Sequence, residues 1–143
     1  MAVFRDSQQF YDTVGELMSQ AAHEPEIGAS VARTEAIIQF RYVDPTAQIT
    51  LNAKDRPSQA GAYFDVLYGP NDLQPDVVMT MPADLAHEFW RGRLNLFSAL
   101  ARGQIQATGA VDTVLHLVPV AELLFQRYVT LLKNKGLEHL ILK

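Results

Sequence analysis

Apolar residues recur at three- and four-residue spacing near the start of the chain, which predicts an amphipathic helix over residues 7–22. Glu24 and Pro25 end this helix, because proline disfavours helical geometry in the residue before it. Proline is also favourable at a first helical position, so a short second helix is expected from Pro25 toward Arg33. Two helices are therefore predicted before any strand pattern appears.

The apolar period changes from 3.6 to 2 after Glu35, and this change predicts β-strands. Three segments, over residues 38–42, 49–51 and 64–67, alternate apolar with polar positions. Strands of this kind have one apolar and one wet face, which suits an antiparallel meander. A fourth strand, over residues 76–81, is apolar at most positions, which suggests a more central place in the sheet.

The rest of the chain predicts further helices with glycine stops and one more strand. The elements are a helix over residues 82–91 before Gly92, a helix over 96–102 before Gly103, a strand over 104–108 before Gly109, and a helical stretch over 111–135 that is interrupted at Pro119 and stops at Gly136. No internal repeat or linker separates them. The sequence therefore predicts one α+β domain over residues 1–143.

The last predicted helix is more apolar than a surface helix needs to be. Its polar residues Glu122, Gln126, Thr130 and Asn134 form one stripe at four-residue spacing, and most other positions are apolar. A surface helix needs an apolar arc of only about 100°. We therefore expect this helix to be covered on more than one side, by the core, a second subunit or an apolar ligand.

Composition and charge narrow the class of protein. A length of 143 residues with 48% apolar and 20% charged residues suits one folded domain and argues against disorder. The net charge of −4 divides into −8 over residues 1–90 and +4 over residues 91–143, so the second half could meet an anionic partner. Long uncharged apolar runs and a signal-peptide pattern are missing, so we expect no transmembrane helix and a cytoplasmic protein.

Catalytic and metal-binding motifs are missing from the sequence. There is no cysteine, which excludes thiolate catalysis and cysteine metal sites. His87-Glu88 lacks the second histidine of a zinc-protease helix, and neither a phosphate-binding loop nor a dinucleotide fingerprint is present. We therefore expect no metal and no cofactor. A pI near 5.5 without a basic, aromatic stripe argues against a nucleic-acid partner.

The most specific pattern lies between Asp76 and Leu117. Its parts are Asp76-Val77-Val78-Met79-Thr80-Met81, Gly92-Arg93-Leu94-Asn95, and Gly103-Gln104-Ile105-Gln106-Ala107-Thr108-Gly109. This order resembles the sterol carrier protein two family, also called nonspecific lipid-transfer proteins, in which a strand beginning with Asp leads through a helix and a Gly-Lys-Leu-Asn turn to a short helix and a Gly-Lys-Leu-Lys-Ile strand. Arg93, Gln104 and Gln106 stand where that family commonly has lysine.

The resemblance implies a five-stranded, mainly antiparallel sheet with helices covering one face and an apolar tunnel between the two layers. It also implies noncovalent binding or transfer of a lipid, such as a fatty acid, acyl-CoA, phospholipid or sterol, without catalysis. Arg91, Arg93 and Arg102 are the candidates to contact a lipid head group or an anionic membrane. The residues expected to line the tunnel are Phe89, Trp90, Phe97, Leu100, Ile105, Leu117, Leu124, Phe125 and Tyr128.

Two alternatives to a lipid carrier remain open from the residues alone. In the first, the apolar surface is covered by a second copy of the chain, and the protein is a homodimer or another interaction module. In the second, the protein is an isomerase or cyclase of similar size with a His–Asp pair in an apolar pocket. That enzyme would require His87 or His116 to point into the cavity near Asp84, Asp112 or Asp65.

Overall fold

The computed structural model describes residues 2–142 and contains a helical layer packed on one five-stranded sheet. The strands are β1 (Ile37–Val43), β2 (Ala47–Asn52), β3 (Asp65–Tyr68), β4 (Val77–Pro82) and β5 (Gln106–Gly109). The α-helices are α1 (Ser7–Phe10), α2 (Glu16–Ala21), α3 (Pro25–Ala32), α4 (Ala83–Trp90), α5 (Leu96–Ala101), α6 (Val111–Leu115), α7 (Val118–Ala121) and α8 (Phe125–Asn134). A π-helical turn (Tyr11–Gly15) joins α1 to α2, and two 3-10 turns (Glu122–Leu124 and Glu138–Leu142) precede and follow α8.

The strand order is β3-β2-β1-β4-β5, with three antiparallel pairs and one parallel pair, β1 with β4. This arrangement confirms the predicted mainly antiparallel sheet and its three-strand meander. The centre of the sheet is β1, and β4 lies inside the sheet next to it. The sheet is therefore mixed, because β4 returns beside β1 in the same direction rather than extending the meander.

Strand register gives the sheet one apolar and one polar face. Phe40 in β1 lies opposite Ile49 in β2 and Met79 in β4, whereas its neighbour Gln39 lies opposite Thr50 and Val78. Because directly opposed residues point to the same face, the apolar positions of neighbouring strands lie together on one face of the sheet and the polar positions on the other. The helices cover the apolar face, and the polar face is held by side-chain hydrogen bonds such as that from Gln39 to Thr50.

The turn before α5 and the end of β5 have the geometry that their sequence favours. Gly92 has a φ of +77°, which a residue with a side chain rarely adopts, and it ends α4. The Asn95 side chain caps α5 by accepting a hydrogen bond from the Ser98 amide at 3.0 Å. At the end of β5, Gly109 has a φ of +86°, and a Cβ atom there would overlap the carbonyl oxygen of Asp76. Only glycine fits this position.

The long helical stretch differs from its prediction in where it breaks and how it is covered. The break falls at His116 and Leu117, and Pro119 lies inside the first turn of α7, where its missing N–H is tolerated. By length and composition the run Val111–Asn134 is apolar enough to cross a membrane, and 22% of its most apolar stretch is buried inside the protein. Its buried residues are Val114, Leu124, Tyr128, Leu131 and Leu132, so the chain covers this stretch on one side only.

Candidate functional site

An apolar cavity lies between the covered face of the sheet and the helices. It has a volume of about 100 Å³. The sheet provides its floor, α2 and α3 one wall, α4 another, and the stretch from α6 to Leu124 its roof. The lining residues are Met18, Ala21, Ile27, Val31, Ile38, Phe40, Tyr42, Leu51, Phe64, Met79, Met81, Ala86, Phe89, Trp90, Leu96, Ile105, Val114, Leu117, Val118, Val120, Ala121 and Leu124.

The cavity lining carries almost no polar chemistry. Its side chains are hydrocarbons or thioethers except for Tyr42 and Trp90, and no charged residue belongs to it. Burial raises the pKa of Tyr42, so its hydroxyl stays protonated. The lining therefore provides no general base and no charged group, and the interaction that it offers to a ligand is apolar burial.

Five of the nine residues predicted to line the tunnel belong to this cavity. They are Phe89, Trp90, Ile105, Leu117 and Leu124. Their part in binding a ligand stays a prediction.

The other four predicted residues lie outside the cavity lining, for reasons that depend on their helices. Phe97 is 55% exposed on the outer side of α5, and Leu100, on the same helix, is half-buried against the core. Phe125 packs edge-on against Phe89, with the ring centres 5.5 Å apart, and so supports the cavity wall from behind. Tyr128 is fully buried, but its hydroxyl is bonded to His87.

The sequence interpretation placed the cavity wall in the second half of the chain and missed the first half. Met18, Ala21, Ile27 and Val31 come from α2 and α3, and the floor comes from β1, β2 and β4. The signal was present as the apolar stripe of the first helix and the alternation of the strands. The apolar pattern indicated which residues are buried, but not that α2 and α3 face the same space as α4 and α7.

The three predicted head-group arginines have different surroundings. The Arg91 side chain is only 3% exposed, and its guanidinium donates to the Glu88 carboxylate at 3.3 Å. Arg93 and Arg102 are exposed at the two ends of α5. Arg91 is therefore held by its own helix and does not face outward, whereas the other two remain candidates for an anionic partner.

An open groove adjoins the cavity beside α5. We call it the α5 groove, and it is lined by Phe89, Gly92, Arg93, Leu94, Asn95, Leu96, Phe97, Val118, Glu122 and Phe125. Phe89, Leu96 and Val118 line both the groove and the cavity. These three side chains therefore form a wall that the cavity shares with the groove.

His87 is the one buried histidine in residues 2–142, and its two ring nitrogens are both satisfied. Nε2 donates to the Leu140 carbonyl at 2.8 Å, which leaves Nδ1 to accept from the Tyr128 hydroxyl at 2.8 Å. Burial lowers the pKa of His87, and the charge of Arg91 acts in the same direction, whereas the hydrogen bond to Leu140 and the charges of Glu88 and Asp84 oppose it. Through these two hydrogen bonds, the neutral His87 side chain links α4 to α8 and to the last 3-10 turn.

This hydrogen-bond network bears on the enzyme alternative. His87 is bonded to a tyrosine and a carbonyl rather than to a carboxylate, and it does not line the cavity. His116 is exposed, and Asp84 accepts from the Val3 amide at 2.9 Å. The His–Asp pair that the isomerase or cyclase would need is therefore not formed at this cavity. Among residues 2–142, no group of three histidines or carboxylates is placed to hold a metal ion.

Comparison with solved structures identifies the fold. Sterol carrier protein 2 from Yarrowia lipolytica superposes with a TM-score of 0.63 at 17% sequence identity, covering 85% of this chain and 96% of that protein. The sterol carrier protein domain 2 of Helicoverpa armigera gives 0.61 at 21% identity, with coverages of 78% and 90%. An SCP2-type ubiquinone synthesis protein, UbiJ, gives 0.57 at 18% identity, with coverages of 78% and 88%. The chain has the sterol carrier protein 2 fold.

The sequence by itself matches no family profile and no curated protein sequence.

The buried His87 predicts a specific pH dependence of stability. Its pKa is lowered in the folded state, whereas an unfolded histidine has a pKa of about 6.5. Below that pH the unfolded chain binds the extra proton, so the free energy of unfolding should fall as the pH drops from about 6.5, with no contribution from this group at higher pH. Urea unfolding at several pH values measures the effect.

Two variants separate His87 from the other titrating groups. His87→Gln should be less stable than the wild type at neutral pH by about 1–3 kcal/mol, because it loses buried hydrogen bonds, and its stability should depend less on pH. His116→Gln, at an exposed histidine, should follow the wild-type profile. Parallel pH profiles for wild type and His87→Gln would show that His87 does not carry this dependence.

Proposed function

We propose that the protein binds a lipid noncovalently in the apolar cavity and carries it without chemical change. The observation that carries this proposal is the lining itself, which is contributed by the sheet and by six α-helices and contains no charged residue. A core that served stability alone would be expected to close such a space, since empty volume next to apolar side chains costs stability. The sterol carrier proteins that share the fold support the same proposal.

The cavity must enlarge to hold a whole lipid chain. Its volume of about 100 Å³ is well below the roughly 300–1,000 Å³ of common ligand pockets. The roof is the part best able to move, because α7 (Val118–Ala121) contains no buried residue although three of its side chains line the cavity. When a ligand lifts α7, the half-exposed apolar side chains of α7 would lose contacts with the rest of the cavity lining and gain contacts with the ligand.

Burial of an alkyl chain provides enough free energy for this exchange. Each methylene taken from water contributes roughly 0.8 kcal/mol, so a chain of about sixteen carbons contributes on the order of 13 kcal/mol before the cost of association. Micromolar binding requires about 8 kcal/mol. The difference leaves about 5 kcal/mol for association and for opening the roof, so specific polar contacts are not required for binding at this level.

The α5 groove is the proposed contact with an anionic membrane. Phe97 is 55% exposed in it, and Leu123, which follows the groove residue Glu122, is 50% exposed. Phe97, Ser98, Ala101 and Arg102 lie on one face of α5 because they recur at four-residue spacing, so the aromatic ring and the charge point outward together. Arg93 and Arg102 would contact lipid phosphates while Phe97 enters the apolar layer, next to the thin wall of the cavity.

A dimer or interaction module is the second candidate, and the same exposed residues favour it. The half-exposed apolar side chains between Val111 and Leu124 would also be covered if a second copy packed on the roof. The two functions differ in what fills the cavity: a lipid carrier needs its roof free to move, whereas a dimer would hold the roof closed. Ligand binding by the monomer therefore decides between them.

Filling the cavity should abolish ligand binding. Ala121→Phe places a ring among the roof residues of a small cavity, so the affinity for the neutral fluorescent dye Nile red should fall at least about tenfold. Ala101→Phe makes the same change at an exposed helix position, and it should bind the dye as the wild type does in buffer without vesicles. Equal dye affinity for Ala121→Phe and the wild type, with both proteins folded by circular dichroism, would rule out this cavity as the site.

The membrane contact is tested with vesicles. Phe97→Asp removes the exposed ring and adds a negative charge, so cosedimentation with vesicles of phosphatidylcholine and phosphatidylglycerol should weaken about tenfold. Val43→Asp is the matched control, because Val43 is 46% exposed at the far end of β1. Both variants should keep wild-type affinity for Nile red in solution. The proposed contact is wrong if Phe97→Asp binds these vesicles as well as Val43→Asp does.

A further inference from the structure

Tyr42 is the buried tyrosine whose hydroxyl has no partner in the part of the chain that the structure describes. It lies in β1 with 5% of its surface exposed, and its ring packs 4.4 Å from that of Phe10. Tyr11, Tyr68 and Tyr128 each hold their hydroxyl in a hydrogen bond, to Gln48, Ser19 and His87.

The unpaired Tyr42 hydroxyl reaches accessible space. Within residues 2–142, no side-chain oxygen or nitrogen is both fully enclosed and without a hydrogen bond. Tyr42 is a lining residue of the cavity, and almost all of its surface is buried. A buried hydroxyl without a partner is unfavourable, so this arrangement is suited to a ligand that completes the bond.

The position of Tyr42 places this polar group at one end of the cavity floor. Ile38, Phe40 and Tyr42 form one row along β1, and the row spans about 13 Å at the usual rise of a strand. Tyr42 is the last of the three, and it lies opposite Met81 in β4. A ligand lying along this row would have its apolar part over Ile38 and Phe40 and its polar group at Tyr42.

We infer that the cavity selects neutral lipids whose single polar group, a hydroxyl, ester or ketone oxygen, hydrogen-bonds to the Tyr42 hydroxyl. This inference rests on the proposed lipid-binding function and specifies its ligand class. An ionised carboxylate or phosphate is disfavoured inside the cavity, because no lysine, arginine or histidine belongs to the lining and an unpaired buried charge is costly. The raised pKa of Tyr42 agrees with a hydroxyl that stays protonated and donates.

Competition against Nile red with four ligands of equal chain length tests the inference. The ligands are 1-hexadecanol, methyl palmitate, hexadecane and sodium palmitate, delivered from cyclodextrin at pH 8, where palmitate is ionised. The wild type should bind hexadecanol and methyl palmitate about tenfold more tightly than hexadecane, as expected for one added hydrogen bond. Palmitate should bind more weakly than its methyl ester.

Tyr42→Phe removes only the hydroxyl and leaves the packed ring. This variant should lose the tenfold preference for hexadecanol and methyl palmitate while its affinity for hexadecane stays unchanged. Tyr63→Phe is the control, because Tyr63 is 38% exposed and does not line the cavity, and it should keep the preference.

The outcomes distinguish a failure of the inferred ligand class from a failure of the proposed lipid-binding function. An unchanged preference in Tyr42→Phe, or tighter binding of palmitate than of methyl palmitate, would overturn the role of Tyr42 while hexadecane binding still supported a lipid site. Failure of all four ligands to displace Nile red would overturn both the inference and the proposed function.

Discussion

The register between β1 and its neighbours is the constraint on which the rest of the structure depends. Ile38, Phe40 and Tyr42 point to one face only because each lies opposite apolar residues of β2 and β4. A slip of one residue would turn this row to the opposite face and bring Gln39 and Arg41 under the helices. Both the apolar cavity floor and the position of Tyr42 follow from this single register.

The helices pack more closely on one part of the apolar face than on the other, and the cavity lies under the less closely packed part. On one side Phe10, Val14 and Leu17 are fully buried, so the amino-terminal helices close the core there. On the other side α7 lies over the cavity without a buried residue of its own. The sequence predicted that the last helical stretch, Val111–Asn134, needs cover on more than one side, and the chain leaves this stretch half-exposed. Its exposed apolar surface fits the proposed roles of a roof that opens for a ligand and of a surface that contacts a membrane.

Local signals in the sequence predicted most of the fold. Strand alternation, the Asn95 cap and the glycine stops act within a few residues, so they can be read without knowing the tertiary structure. The hydrogen bonds of His87 could not be predicted in this way, because Tyr128 and Leu140 lie 41 and 53 residues further along the chain. The same limit explains the cavity wall: the contribution of α2 and α3, and the exposure of Phe97, depend on how the helices are placed in space.

Native mass spectrometry of gently purified protein, followed by extraction and identification of any bound lipid, tests the account most directly. The account predicts a monomer of 15.9 kDa that carries a noncovalent adduct, with the adduct released in organic solvent as a neutral lipid of one polar group. A lipid-free dimer that also fails to bind Nile red would contradict it, because the apolar roof would then serve as a subunit interface rather than as the cover of a ligand cavity.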